Sequence, residues 1–155
     1  GYMMPGREYL EKDYPGFGAM ESLTAGFGIA EQARKKLKDT LTADHLINLS
    51  AVDVFEAFRH GEEWSLDIVE TTVDYLSIVI INLIAVYDPQ MIILGGGVSK
   101  SADILLPRIL KRVQGKIPNI PILTASKLGL RGAALGAVAS LIYQTSDTYI
   151  VRKLA

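Results

Sequence analysis

Two groups of residues have the types and spacing to do chemistry. The first is Ile92-Ile93-Leu94-Gly95-Gly96-Gly97-Val98-Ser99, a short apolar run ending in three glycines. Glycines at the carboxyl end of a buried strand let a flat or anionic ligand touch backbone, and that edge is where open α/β sheets bind ligands. The spacing is not GxGxxG, and no Lys-Ser/Thr pair follows to make a P-loop. A tight strand-to-helix turn would use the same residues. The second is Glu21, an isolated carboxylate at the head of a helical stretch and followed by Ser22. On its own it reads as a first-turn acid complementing the helix dipole, an effect of about 0.3–1 kcal/mol.

Other candidates carry less. His45 and His60 lie far apart, without partners at metal-ligand spacing, and read as surface histidines. No Ser-His-Asp set can be assembled. Lys35, Lys36 and Lys38 read as a solvated helix end. The chain has no cysteine, which excludes disulfides, thiol catalysis and Cys-ligated zinc.

The 155 residues suit one domain, with 49% hydrophobic and 21% charged residues, as in globular chains. A net charge of −1 offers no excess of cations for gripping phosphates, so duplex DNA is not an expected partner. The longest apolar run, Tyr75 to Tyr87, has thirteen residues, short of the roughly 18 of a membrane span. A soluble, cytoplasmic protein is expected. The chain opens on Gly1-Tyr2-Met3-Met4, which suggests a piece of something longer.

The elements that must position these residues follow from pattern. Residues 1–18 read as loop, ordered against the rest by Tyr2, Tyr9, Tyr14 and Phe17. Met20 to Leu37 has one helical period, with Gly26 and Gly28 inside it where close backbone approach is expected. Ser50 and Asp53 form an acidic capping box for a helix that stops at Gly61. A long helix is predicted from about Trp64 to Tyr87, ended by Asp88-Pro89. Gln90–Leu94 reads as a strand buried on both faces. Ala102–Val113 is helical, with Pro107 expected to kink or divide it. Ile122–Ala125 is a second strand, and Ala133–Tyr143 a helix of small residues expected to pack tightly. The tail from Thr145 to Ala155 is polar and then weakly apolar, with no assigned structure. The order is that of an α/β unit with a parallel strand pair.

Together, four segments resemble the C-terminal half of the ROK family of sugar kinases and sugar-responsive repressors. They are Gly1-Tyr2-Met3-Met4; Glu21-Ser22-Leu23-Thr24-Ala25-Gly26-Phe27-Gly28-Ile29-Ala30; Asp88-Pro89-Gln90-Met91-Ile92-Ile93-Leu94-Gly95-Gly96-Gly97-Val98; and Leu128-Gly129-Leu130-Arg131-Gly132-Ala133-Ala134-Leu135-Gly136-Ala137. The resemblance implies the C-terminal lobe of an actin-like ATPase (ribonuclease H-like) fold, with residues 1–155 as one domain of helices on a small, partly parallel sheet. The N-terminal lobe would be absent.

It implies roles as well. Glu21 looks like the family's sugar-binding glutamate, and Tyr2 stands where the family has the histidine of its sugar and zinc segment. Gly95, Gly96 and Gly97 look like its adenosine-contacting motif. The family's zinc thiols have no counterpart in Pro15–Glu21, so no metal is expected. The first expectation is the sugar-binding and dimerising lobe of a ROK transcriptional regulator, whose DNA contact would lie in an absent N-terminal domain. The alternative is the corresponding lobe of a sugar kinase without the zinc site, with ATP and Mg²⁺ as cofactors of the parent. The family's phosphate loop and catalytic aspartate would lie upstream of Gly1, so the isolated chain is expected neither to phosphorylate sugars nor to bind duplex DNA. A small-molecule sugar, a homodimer and no membrane complete the expected partners.

Overall fold

A computed structural model describes residues 1–145. The unassigned tail from residue 146 lies outside them. The chain begins as a loop with one 3-10 turn at Arg7–Tyr9. Tyr9 holds this loop to the rest, its hydroxyl 2.6 Å from that of Tyr75 and its ring edge-on at 5.8 Å. Phe17 stacks near Phe27 with ring centroids 4.4 Å apart. Tyr2, in contrast, is 71% exposed and anchors nothing with its ring.

The single helix expected over residues 20–37 is two. α1 spans Ala19–Thr24 and α2 spans Gly26–Leu37, with Ala25 extended between them at φ −83° and ψ 159°. The break brings α1 onto the start of α2. A Cβ at Gly28 would stand 2.2 Å from the Ser22 carbonyl oxygen and 2.9 Å from that of Glu21. The close approach expected at the glycines is therefore the chain's own preceding turn, at Gly28. Gln32 staples the join, its side-chain amide donating to the carbonyls of Leu23 and Gly28 at 3.2 Å each.

α3, Ala43–Asn48, has no strong local signal and is held from outside. Arg34 on α2 donates from Nε to the Leu46 carbonyl at 2.9 Å and from Nη2 to the Leu49 carbonyl at 2.7 Å. α4, Ala51–Arg59, starts as expected at Ser50. The Ser50 backbone N–H donates to Asp53 Oδ2 at 2.8 Å, and its hydroxyl donates to the same oxygen at 2.6 Å. Gly61, at φ +77°, turns the chain into α5, Glu63–Tyr87.

α5 is the central helix, and α1, α2, α4 and α6 (Ala102–Val113) pack around it. By length and composition it could cross a bilayer, with a mean hydropathy of 1.7 over 18 residues. Its apolar stretch is thus longer than the thirteen-residue run suggested. Ile68, Val69, Val73, Ile80 and Ile84 of α5 form one core with Ile29 and Ala33 of α2, Val54 and Phe55 of α4, and Ile104, Leu105, Ile109 and Val113 of α6. Buried hydroxyls on α5 bond within the helix, Thr72 to the Ile68 carbonyl at 2.9 Å and Ser77 to the Val73 carbonyl at 2.7 Å. None is left unsatisfied among the described residues. Outside the core, Arg108 and Arg112 of α6 bridge to Glu70 of α5, and Arg112 also to Asp74.

β1, Met91–Leu94, and β2, Ile122–Ala125, pair in parallel with Met91 opposite Ile122, and α6 makes the crossover. Pro107 sits on the exposed face of α6 and does not divide it. One expectation fails here. β1 is not buried on both faces, for Met91 is 46% and Ile93 57% exposed. Ile92, Leu94 and Leu123 turn the other face of the two-stranded sheet onto the helical core. A second expectation fails at α7, Gly132–Thr145, which begins after a 3-10 turn at Gly129–Arg131. Among the described residues its small residues do not mark tight packing, since Leu135 and Val138 are exposed.

Candidate functional site

The break at Ala25 places the candidate carboxylate. α1 is short, begins at Gly18, and carries half-buried Glu21 in its first turn beside the N-terminal loop. A Cβ at Gly18 would stand 1.9 Å from the Gly1 carbonyl oxygen, and one at Gly1 would stand 2.6 Å from Glu21 Oε2. The chain's first residues therefore run directly over the head of α1, and the backbone clash at Gly18 leaves no room there for a side chain. Thr24 ends α1 with its hydroxyl donated to the Met20 carbonyl at 2.7 Å.

The glycine run comes off the end of β1. Gly96 adopts φ +74°, a conformation that L side chains rarely enter. The following residues form a 3-10 turn, Gly97–Ser101, locked by Ser99 Oγ donating to the Gly96 carbonyl at 2.7 Å. A Cβ added at Gly95, Gly96 or Gly97 would meet nothing within 4 Å, so the backbone faces open space. The residues there fit a ligand that needs bare backbone.

Glu21 and all three glycines line one cavity of about 580 Å³. Met20, Thr24 and Gly26 contribute its α1–α2 wall, Leu76 and Val79 of α5 its floor, and Gly1 and Met3 its rim. Tyr2 is not among the lining residues; its ring points to solvent while its neighbours on both sides face the cavity. The structure thus brings together two of the three sequence-derived features and leaves the third beside them. Thr24, Gly26 and Ser99 escaped the sequence reading as cavity residues, although Gly26 was visible as a helical glycine.

A second cavity, of about 790 Å³, adjoins the first and shares Gly26, Gly97 and Val98 with it. Its walls are mainly apolar, from Phe27 and Ala30 of α2, Leu49, Ala51, Val52 and Phe55 around α4, and Val98, with Asn48, Ser50, Glu56 and Ser101 also lining it. Arg34, Arg59 and Lys100 stand at its edge. Arg59 is held there by Asp103, both carboxylate oxygens lying 3.0 Å from Nη2. That bond keeps the Asp103 carboxyl below its ordinary range and the Arg59 guanidinium above its own. No single-residue signal in the sequence marks this cavity, because it needs the bend at Ala25 and the docking of α3.

The residues present do not fit a structural zinc ion. Position 17 is Phe, the chain has no thiol, and Tyr2 faces away. Among the described residues no three His, Asp or Glu side chains gather.

Comparison with known proteins places this geometry in a family. The model of the ROK family matches residues 14–144. A glucokinase of Halalkalibacterium halodurans is 32% identical over 132 residues, which is 81% of this chain and 39% of that protein. An N-acetyl-D-glucosamine kinase of Pasteurella multocida is 36% identical over 94 residues, covering 59% of this chain and 31% of its own length. The chain therefore spans well under half of these relatives. Among solved structures, a ROK family glucokinase from Streptomyces griseus in complex with glucose and AMPPNP superposes with a TM-score of 0.67 at 23% identity, over 82% of this chain and 45% of that one. A ROK hexokinase from Thermus thermophilus gives 0.65 at 23% identity, over 94% and 47%. The fold is the actin-like one expected from the sequence, and the sequence relatives are sugar kinases.

Proposed function

The chain belongs to the ROK family, and on that premise we propose that it is the C-terminal lobe of an ATP-dependent ROK sugar kinase. The observation that carries this reading is the cavity shared by Glu21 and Gly95–Gly97. A half-buried carboxylate facing bare glycine backbone suits a sugar on one side and a phosphorylated ligand on the other. Glu21 would accept hydrogen bonds from two sugar hydroxyls, which are strengthened by its charge. The nucleotide's base would occupy the adjoining, mainly apolar cavity that Phe27 and Phe55 help to line, beside the same glycine loop. Tyr2, exposed at the rim, would meet the sugar only in a complete cleft.

In such a transfer a sugar hydroxyl oxygen bonds to the γ-phosphorus while the bond from that phosphorus to the bridging oxygen breaks and ADP leaves. The hydroxyl proton would pass to a base supplied by the rest of the parent protein. Mg²⁺ would arrive on the nucleotide, neutralising phosphate charge. The part left to this lobe is to orient the sugar and hold the glycine loop open, with Ser99 fixing its exit. The substrate class is a hexose or N-acetylhexosamine, by similarity to the named relatives.

The test is made in the full-length protein. ATP-dependent phosphorylation of glucose or N-acetylglucosamine is expected, and Glu21→Gln should weaken sugar binding by about 1.5–3 kcal/mol, the scale of a hydrogen bond to a charged group. Unchanged sugar affinity in that variant would remove Glu21 from the site, and absence of turnover would favour a second reading. That reading is a sugar-responsive ROK regulator, supported by Tyr2 in place of histidine and the thiol-free loop at Pro15–Glu21. It would bind DNA only through a domain outside this chain, and sugar-dependent release of an operator would identify it.

The same lobe is proposed to form a homodimer. The second half of α5 leaves Ile78, Val86 and Tyr87 exposed, and β1 leaves Met91 and Ile93 exposed; apolar surface of this kind favours association. Light scattering should give at least a dimer mass at tens of micromolar, and a monomer mass would contradict the proposal.

A further inference from the structure

We propose that a hollow between the Gly97–Ser101 turn and the start of α7 binds the phosphate group of a phosphorylated small molecule. Lys100, Lys127 and Arg131 all line this hollow, of about 530 Å³, with Leu128, Gly129 and Leu135 as the rest of its wall. Among the described residues no acidic one lines it. In a chain whose net charge is −1, three cations around one space make a concentrated positive spot.

Among the described residues these charges are not used elsewhere. The ion pairs among the described residues take Arg34, Lys35, Lys36, Arg59, Arg108 and Arg112, and none takes Lys100, Lys127 or Arg131. Three like charges repel, so the backbone must hold them together, and it does so with turns that pack on each other. Lys100 sits in the turn that Ser99 locks onto Gly96. Lys127 lies within the turn where Leu128 N–H donates to Ser126 Oγ at 3.2 Å, and Arg131 N–H donates to the Leu128 carbonyl at 3.2 Å. α7, fourteen residues long, begins at the same place without an acid in its first turn, so its positive end adds to the cations.

A phosphate monoester matches this arrangement. It carries close to two negative charges, and its oxygens can accept from the guanidinium fork and two ammonium groups at once. Three cations on a chain of net negative charge are too few to grip a nucleic acid. Lys100 also lines the apolar cavity beside it, so the phosphate has two sources: one carried by a nucleotide whose base lies next door, or a separate phosphate ester. The site itself does not depend on the kinase reading.

The probe is inorganic pyrophosphate, titrated calorimetrically into the full-length protein at low salt. Lys127→Gln and Arg131→Gln are the informative variants, since Lys100 borders both spaces, and Lys38→Gln is the control for loss of a distant surface charge. Binding should weaken about two- to fivefold for each hollow charge removed, fall further in the double variant, and stay unchanged in Lys38→Gln. Saturating ATP separates the sources: exclusion of pyrophosphate assigns the hollow to the nucleotide's own phosphate, and simultaneous binding assigns it to a separate ester. Wild-type affinity in the double variant, equal loss in Lys38→Gln, or no binding by the wild type would each overturn the site.

Discussion

The two sides of this chain are made from similar residues and end in different states. On the helical side, Ile29, Val54, Leu105, Ile109 and Val113 are buried to the last few per cent around α5. On the sheet side, Met91, Ile93, Ile122, Leu135, Val138 and Leu141 are equally apolar and largely exposed. Hydropathy does not separate the two sets; what separates them is the number of elements available to cover each. Among the described residues α5 has four helices around it, whereas β1 has one parallel strand partner and leaves Met91 and Ile93 exposed. Apolar composition therefore states a demand for burial, and only topology says whether one chain meets it.

Substitution across the two sides should expose this difference most strongly. Leu105→Ala removes a fully buried side chain among Ile104, Ile109 and the α5 stripe, and cavity-forming changes of this kind cost about 2–5 kcal/mol. Ile93→Ala, at 57% exposure, should cost well under ~1 kcal/mol in the same chain. Urea titration of both variants measures the contrast. Equal losses would mean that the sheet face is covered in solution, by a second copy or otherwise.

The next effect in size concerns the joint that carries the candidate site. Gly28→Ala would drive a Cβ to 2.2 Å from the Ser22 carbonyl, a backbone atom that cannot rotate away. Overpacking costs about 1–3 kcal/mol, and here the relief is for α1 to lift from α2, carrying Glu21 with it. Stability and sugar affinity of the full-length protein should fall together. A stable Gly28→Ala protein with unchanged sugar affinity would show that the α1–α2 joint does not position Glu21.

The same distinction decides what could be read in advance. α5, β2, the Ser50 cap and the Gly61 stop were legible because their causes are local: an apolar stripe, a short β-branched run, a carboxylate three residues on, a glycine at positive φ. The break at Ala25 was not, since alanine is a good helix former and its extended conformation is set by what Gly28 touches. α3 was missed because its last carbonyls are held by Arg34, twelve and fifteen residues earlier. The burial of β1 and the packing of α7 were misjudged because burial depends on which elements come to lie against them, and no local pattern states that. At the site, Glu21 and the triple glycine stood out by composition, but that they share a cavity depends on the Ala25 bend. The neighbouring Phe27–Phe55 cavity depends on it too.

The smallest effect expected lies at the solvent edge of the helical side, in the capping box of α4. The hydrogen bond from the Ser50 hydroxyl, with a smaller one from its backbone N–H, holds the Asp53 carboxyl below its ordinary range. A carboxyl whose folded pKa is depressed stabilises the fold above the unfolded value of about 3.9, and that contribution is lost as pH falls through the folded value. Asp53 is exposed, so solvent screening keeps the effect at the low end for a cap, about 0.5 kcal/mol at neutral pH. Asp103, bound to Arg59, titrates in the same direction and would blur a wild-type pH curve. The difference between wild type and Asp53→Ala isolates the cap: it should be constant from pH 7 to pH 5 and shrink below pH ~4. A difference that persists undiminished at pH 2 would assign the role of Asp53 to helix propensity rather than to its charge, and the α4 start would then depend on Ser50 alone.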